Sequence, residues 1–128
     1  MTYLLAVNAL IALGLTHHAD HARVARWVRS LKGDTLASCS ITEIGFVRIS
    51  CGGAGLTPDA AVARHLLHRL KAAAGITLLP DANGAANLPP WVLRPAQVTE
   101  GHLVSLAAKH GAKLATLDTG IRGAFLIP

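Results

Sequence analysis

The sequence predicts an α/β protein, a mainly parallel sheet covered by helices, and three observations carry that expectation. Residues 3–7, YLLAV, are apolar without interruption, the pattern of a strand buried on both faces rather than one with a face to water. Strand-like and helix-like segments then alternate, as they do where helical crossovers join parallel strands. The 128 residues are enough for one domain with a core of its own, and no repeat, linker or low-complexity tract divides them. A single domain over residues 1–128 is expected.

Taken in order, residues 9–13 follow the first strand as a short apolar helix. Residues 18–31 set Ala22, Ala25, Val28 and Leu31 on one side and Arg23, Arg26 and Arg29 elsewhere, which is an amphipathic helix. Gly33 and Asp34 break it, and residues 35–38 form a short strand. Residues 40–50 begin as a helix in which Ser40 and Glu43 fit the S-x-x-E capping box; Gly52 and Gly53 end it. The stretch TPDAAVARHLLHRLKAAAG is a helix capped by Thr57, with Pro58 at its first position and Gly75 closing it. Residues 76–79 are a short strand, and 81–90 a turn-rich loop ending in two prolines. Thr99 caps the next helix, whose inner face is Leu103, Leu106, Ala107 and His110 and whose stop is Gly111. Residues 113–117 form a strand that runs into Asp118, and 125–127 a last edge strand.

Lysine and arginine outnumber the acids 12 to 7, for a formal charge of +5, which favours polyanionic partners. Aromatic residues are few, so base stacking on exposed rings is not expected to drive such contacts. With a helix between them, Cys39 and Cys51 stand about 18 Å apart at ~1.5 Å per residue. No disulfide spans that distance, and reduced thiols fit the cytoplasm. The opening apolar run is shorter than the roughly 20 residues a membrane span needs. It offers a small-x-small site at Ala12-Leu13-Gly14, but it lacks the basic start of a secretion signal, since the first basic residue is Arg23. Neither membrane insertion nor secretion is expected.

In open parallel sheets, ligands bind beyond the carboxyl ends of the strands. Asn8 follows the first strand and Asp118 the fourth, while Glu43 and Glu100 each open a helix after a strand or loop. Three acids gathered at one rim raise each other's pKa unless a cation joins them. Mg²⁺ or Mn²⁺, which take oxygen ligands, relieve that cost and can activate water. Each residue also has a purely structural explanation: a capping box for Glu43, the helix dipole for Glu100, a turn at Asp118, a helix cap at Asn8. The run HHADH sets His17 and His21 one turn apart without a third ligand; a solvated helix start accounts for it better than zinc. His65, His68, His102 and His110 are expected at the surface or the core edge.

Taken together, the segments resemble one family. YLLAVNALIAL resembles the opening of a PIN domain, the small nuclease domain of VapC-type toxins. ITEIGFVRI is similar to its second motif, with Glu43 as the acid. QVTEGHLVSLAAKHGAKLATLD is similar to the third and fourth, with Glu100 and Asp118. The resemblance implies a three-layer α/β/α fold with a five-stranded, mostly parallel sheet. It implies a Mg²⁺- or Mn²⁺-dependent endoribonuclease acting on structured RNA such as tRNA or rRNA, a homodimer, and a VapB-type antitoxin that enters the active-site groove. It assigns Glu43, Glu100 and Asp118 to holding the ion or orienting water. Glu100, Asp118 and position 6 are the implied metal positions, and the amide of Asn8 would hold a neighbouring carboxylate or water. Arg23, Arg26 and Arg48 would contact phosphates. Two departures stand out: Ala6 occupies the place of the first acid, and Glu100 replaces the usual Asp. The first implies weak metal binding and little or no cleavage. The intact Asn8, Glu43 and Asp118 fit a deliberate change at position 6 better than a degenerate natural member. The alternative is a non-catalytic module of the same fold that binds antitoxin or RNA without cutting.

Overall fold

A computed structural model describes residues 1–53 and 56–128. Its first strand, β1 (Thr2–Leu5), is shorter than expected because the chain turns at Ala6. The Leu10 amide already reaches the Ala6 carbonyl at 3.0 Å, so α1 (Val7–Gly14) begins two residues early. Ala6 is its N-cap, and Asn8 lies inside its first turn rather than at a strand end. There follow α2 (His21–Ser30), β2 (Thr35–Ser38), α3 (Ser40–Ser50), α4 (Ala60–Ala74), β3 (Thr77–Leu78), α5 (Pro95–Lys109), β4 (Ala112–Thr116) and β5 (Phe125–Leu126). A single 3₁₀ turn, Ala85–Asn87, punctuates the loop before α5.

The five strands lie in the order β3-β2-β1-β4-β5, and every pairing is parallel. β1 is central, with Leu4 beside Ala37 and Leu114. Alternation along the strands sends Leu5, Leu36 and Ala115 into a core with α1 to α4, and Leu4 and Leu114 into a second core with Leu103, Leu106 and Ala107 of α5. Helices therefore cover both faces, the three-layer arrangement expected. Within the larger core the rings of Tyr3, Trp27 and Phe125 pack with centroids 5.1 to 5.6 Å apart, pinning α2 to β1 and β5. Gly45 lets α3 approach α1 closely: a Cβ there would stand 2.7 Å from Val7 Cγ2.

Several helix starts differ from those expected. α3 is capped at Cys39, and the Thr42 hydroxyl, not Glu43, accepts the Cys39 amide at 3.0 Å. α4 is capped by Asp59, whose carboxylate accepts from the Val62 amide at 2.8 Å; Thr57 and Pro58 lie before it. α5 starts at Pro95, with Gln97 reaching back to the Arg94 amide, so Thr99 is in its second turn. In α2 the buried side chains are Val24 and Trp27, and Ala22 faces solvent. The two glycine stops hold: Gly75 and Gly111 have φ of +66° and +68°. Cys39 and Cys51 flank α3 and are both free thiols.

The loop after β3 is fastened to α5. Asp81 Oδ2 lies 2.6 Å from His102 Nε2, the Asn83 backbone N–H donates to Asp81 Oδ1 at 3.0 Å, the Asn83 side-chain Nδ2 donates to Ser105 Oγ at 2.9 Å, and the Ser105 hydroxyl donates to the Asn87 carbonyl. Burial raises the Asp81 carboxyl. The His102 hydrogen bond, the Asn83 amide and the charges of His102 and Lys109 outweigh that and hold it below the ordinary carboxylate value. His110, expected on the inner face, is exposed and bonds the Pro80 carbonyl instead.

Candidate functional site

β1 and β4 are neighbours and parallel, so their carboxyl ends meet at one rim, and α5 crosses beside it. There a cavity of about 600 Å³ opens, lined by Asn8, Thr99, Glu100, Thr116 and Asp118 among its polar residues, with Ala6, Ile11, Ile49, Leu103 and Leu114 as part of an apolar wall. Glu100 is half-buried and Asp118 exposed. Because α5 begins at Pro95, Glu100 is the sixth helical residue. The helix-dipole explanation for an acid in the first turn does not apply to it.

The nitrogen and the oxygen of the Asn8 amide each make a hydrogen bond. Its amide nitrogen donates to Thr116 Oγ1 at 3.2 Å, and its oxygen accepts the Leu117 amide at 3.2 Å. Thr116, 1% exposed, also accepts the Asp118 amide at 3.1 Å. These contacts join the Asn8 amide to the end of β4. Asn8 ties α1 to β4 and, through Thr116, sets the backbone that presents Asp118.

Glu43 does not line this cavity. Its Oε2 accepts from Ser38 Oγ at 2.5 Å and from Lys71 Nζ at 2.7 Å. Ser38 ends β2, so the carboxylate remains at the carboxyl end of the sheet, but it opens into a neighbouring hollow between α3 and α4. Sequence reasoning missed both partners. Ser38 at a strand end, five residues before an acid, was the available signal; Lys71 lies 28 residues away on another helix and gave none.

At Ala6 the backbone is that of a helix cap, φ −63° and ψ 163°, but no side chain caps it. The methyl is one of the groups lining the cavity of Glu100 and Asp118. Among the described residues no three His, Cys, Asp or Glu side chains gather as a metal-binding group. Two carboxylates against a largely apolar wall do not fit a tightly held divalent ion. The histidines of HHADH engage locally: His18 Nδ1 accepts the Asp20 amide, and His21 Nδ1 bonds the Ala12 carbonyl. Arg23 donates to the Ile127 carbonyl, which ties α2 to the residue after β5. Among the described residues no helix is long and apolar enough to cross a membrane.

No family model matches the chain. It is 38% identical over 129 residues to ribonuclease VapC39 of Mycobacterium tuberculosis, covering 94% of this chain and 91% of that protein. Ribonuclease VapC38 of the same organism is 38% identical over 122 residues, covering 92% and 86%. Ribonuclease VapC29, also mycobacterial, is 34% identical over 123 residues, covering 94% and 89%. In the crystal structure of VapBC2 from Rickettsia felis bound to a DNA fragment from their promoter, a chain superposes with a TM-score of 0.63 at 14% identity, covering 98% of this chain and 97% of that one. At that identity the likeness is one of fold.

Proposed function

Because the chain belongs to the VapC ribonuclease family, we propose that it is the endoribonuclease toxin of a toxin–antitoxin pair, disabled as written by Ala6. One observation carries this: the Ala6 methyl lines the same cavity as Glu100 and Asp118, at a helix cap where an acid's carboxylate would both satisfy the first turn and face the other two acids. In the present chain the donor set is short of a resident ion, so no catalytic step is assigned to one. With Asp at position 6 the rim offers three carboxylates, hard oxygen donors suited to Mg²⁺ or Mn²⁺.

The parts played by this chain's residues follow from their surroundings. Glu100 and Asp118 supply the negative charge of the pocket. Asn8 and Thr116 hold the Asp118 backbone in place. Glu43, neutralised by Lys71, borders the site instead of joining it. The substrate is structured RNA of the tRNA or rRNA class, the partner a VapB-type antitoxin, the assembly a homodimer, and the compartment the cytoplasm. The VapBC complex among the structural neighbours supports the antitoxin.

The test is the substitution Ala6→Asp, assayed on total RNA with Mn²⁺ and with chelator. The second reading, a module that binds antitoxin or RNA without cutting, is favoured by Ala6 itself. Mn²⁺ soaked into crystals separates the two: an ordered ion beside Glu100 and Asp118 supports residual catalysis, and none supports binding alone.

A further inference from the structure

The carboxylate cavity has acids at its rim, and its lining among the described residues includes no lysine or arginine. A polyanionic substrate reaching it needs cations nearby. The hollow between α3 and α4, about 500 Å³, supplies them. Arg48 of α3 and Arg64 and His68 of α4 line it, and all three are exposed. Among the described residues Glu43 is the one acid lining it, and Lys71 cancels that charge at 2.7 Å. Neither Arg48 nor Arg64 has an ion-pair partner among the described residues. The hollow therefore presents two uncompensated guanidinium groups.

We propose that this groove is a binding track for the sugar–phosphate backbone of RNA, feeding a strand to the carboxylate cavity. The inference rests on the ribonuclease function proposed above. Helix α3 is the wall common to both hollows: Ile49 lines the cavity, and its neighbour Arg48 lines the groove. One strand can lie across that wall with phosphates on the arginines and a linkage at the acids. Planar guanidinium groups suit bidentate phosphate contacts, and such contacts give affinity without sequence choice. An acidic amphipathic peptide would also answer the charge. RNA is favoured because the groove and the acid rim share a wall.

The experiment uses the full chain as written, in chelator, with a fluorescently labelled hairpin RNA carrying single-stranded arms. Arg48→Gln with Arg64→Gln should weaken binding at least about tenfold and lower the slope of log K against log salt by ~1.4, about 0.7 per lost single-strand contact. Arg48→Lys with Arg64→Lys should retain most of the affinity. Arg29→Gln with Lys32→Gln, exposed near the opposite end of the sheet, should change it little. All exchanged side chains are exposed, and unchanged circular dichroism melts exclude unfolding. The proposal is overturned if the parent chain does not bind the hairpin, or if the glutamine pair binds as the parent does. It is equally overturned if an acidic amphipathic peptide, and not RNA, shows the dependence on Arg48 and Arg64. Cleavage by the Ala6→Asp protein is scored separately. Cleavage with an indifferent groove sinks the track alone, and an RNA-binding groove without cleavage sinks the catalytic assignment alone.

Discussion

Both ends of the Asn8 amide are used, which explains a lone polar side chain inside an apolar run. Leucine at this position would fill the space but leave the Leu117 amide without its partner and take one of two donors from the Thr116 hydroxyl. Removing one partner of a hydrogen bond costs about 1–3 kcal/mol where the remaining group is buried, and the low end applies to these half-buried bonds. Asn8→Leu should therefore lower the urea unfolding free energy by that amount, measured by the shift in midpoint at constant slope. Ala6 is the complementary case, a residue whose side chain does too little. Asp at this cap should gain about 1 kcal/mol from the first-turn amides, opposed by repulsion from Glu100 and Asp118 in the absence of a cation. Added Mn²⁺ relieves the repulsion, so Ala6→Asp should show a rise in Tm with Mn²⁺ that the chain as written lacks. At 100 times the dissociation constant, binding to the folded state alone is worth about 2.7 kcal/mol. A thermal scan with and without Mn²⁺ reads both effects.

At the scale of elements, α3 and α5 show what a sequence can and cannot disclose. Their existence and their stops followed from apolar spacing and glycines, because burial of one face is written locally. The cap of α3 and the start of α5 did not. The S-x-x-E match at Ser40 was displaced by Cys39 and Thr42, one residue earlier, since the Thr42 hydroxyl reaches the cap amide and leaves Glu43 free for Ser38 and Lys71. Pro95 begins α5 a full turn before Thr99, which moves Glu100 away from the helix start and beside the cavity. The tie between α5 and the preceding loop also has a pH signature. The Asp81 carboxyl is held below its ordinary value, so its stabilisation is complete above the unfolded-state pKa, about 3.9. It is lost as pH falls through the lower folded-state value. Asp81→Asn should be less stable than the parent at neutral pH, and the difference should shrink as pH drops below about 4. Urea midpoints from pH 7 to pH 3 check the sign.

For the whole molecule, the parallel sheet and its helical layers were legible because alternating elements and a doubly buried first strand admit few arrangements. The candidate site was legible in part. Parallel strands bring the ends of β1 and β4 to one rim by topology alone, so the meeting of Asn8, position 6, Glu100 and Asp118 follows from chain order. The departure of Glu43 depends on how α4 packs on α3, a contact across 28 residues with no local trace. The same packing creates the basic groove, so the +5 charge of the chain takes on a direction only in three dimensions. The central claim is that one missing carboxylate at the rim separates this chain from an active ribonuclease. Its most direct test is Ala6→Asp incubated with total RNA and Mn²⁺ beside the chain as written. Cleavage that appears only in the substituted protein and vanishes with chelator is the predicted result. An Ala6→Asp protein that is folded, binds Mn²⁺ and still leaves the RNA intact, where a VapC relative cuts it, contradicts the account.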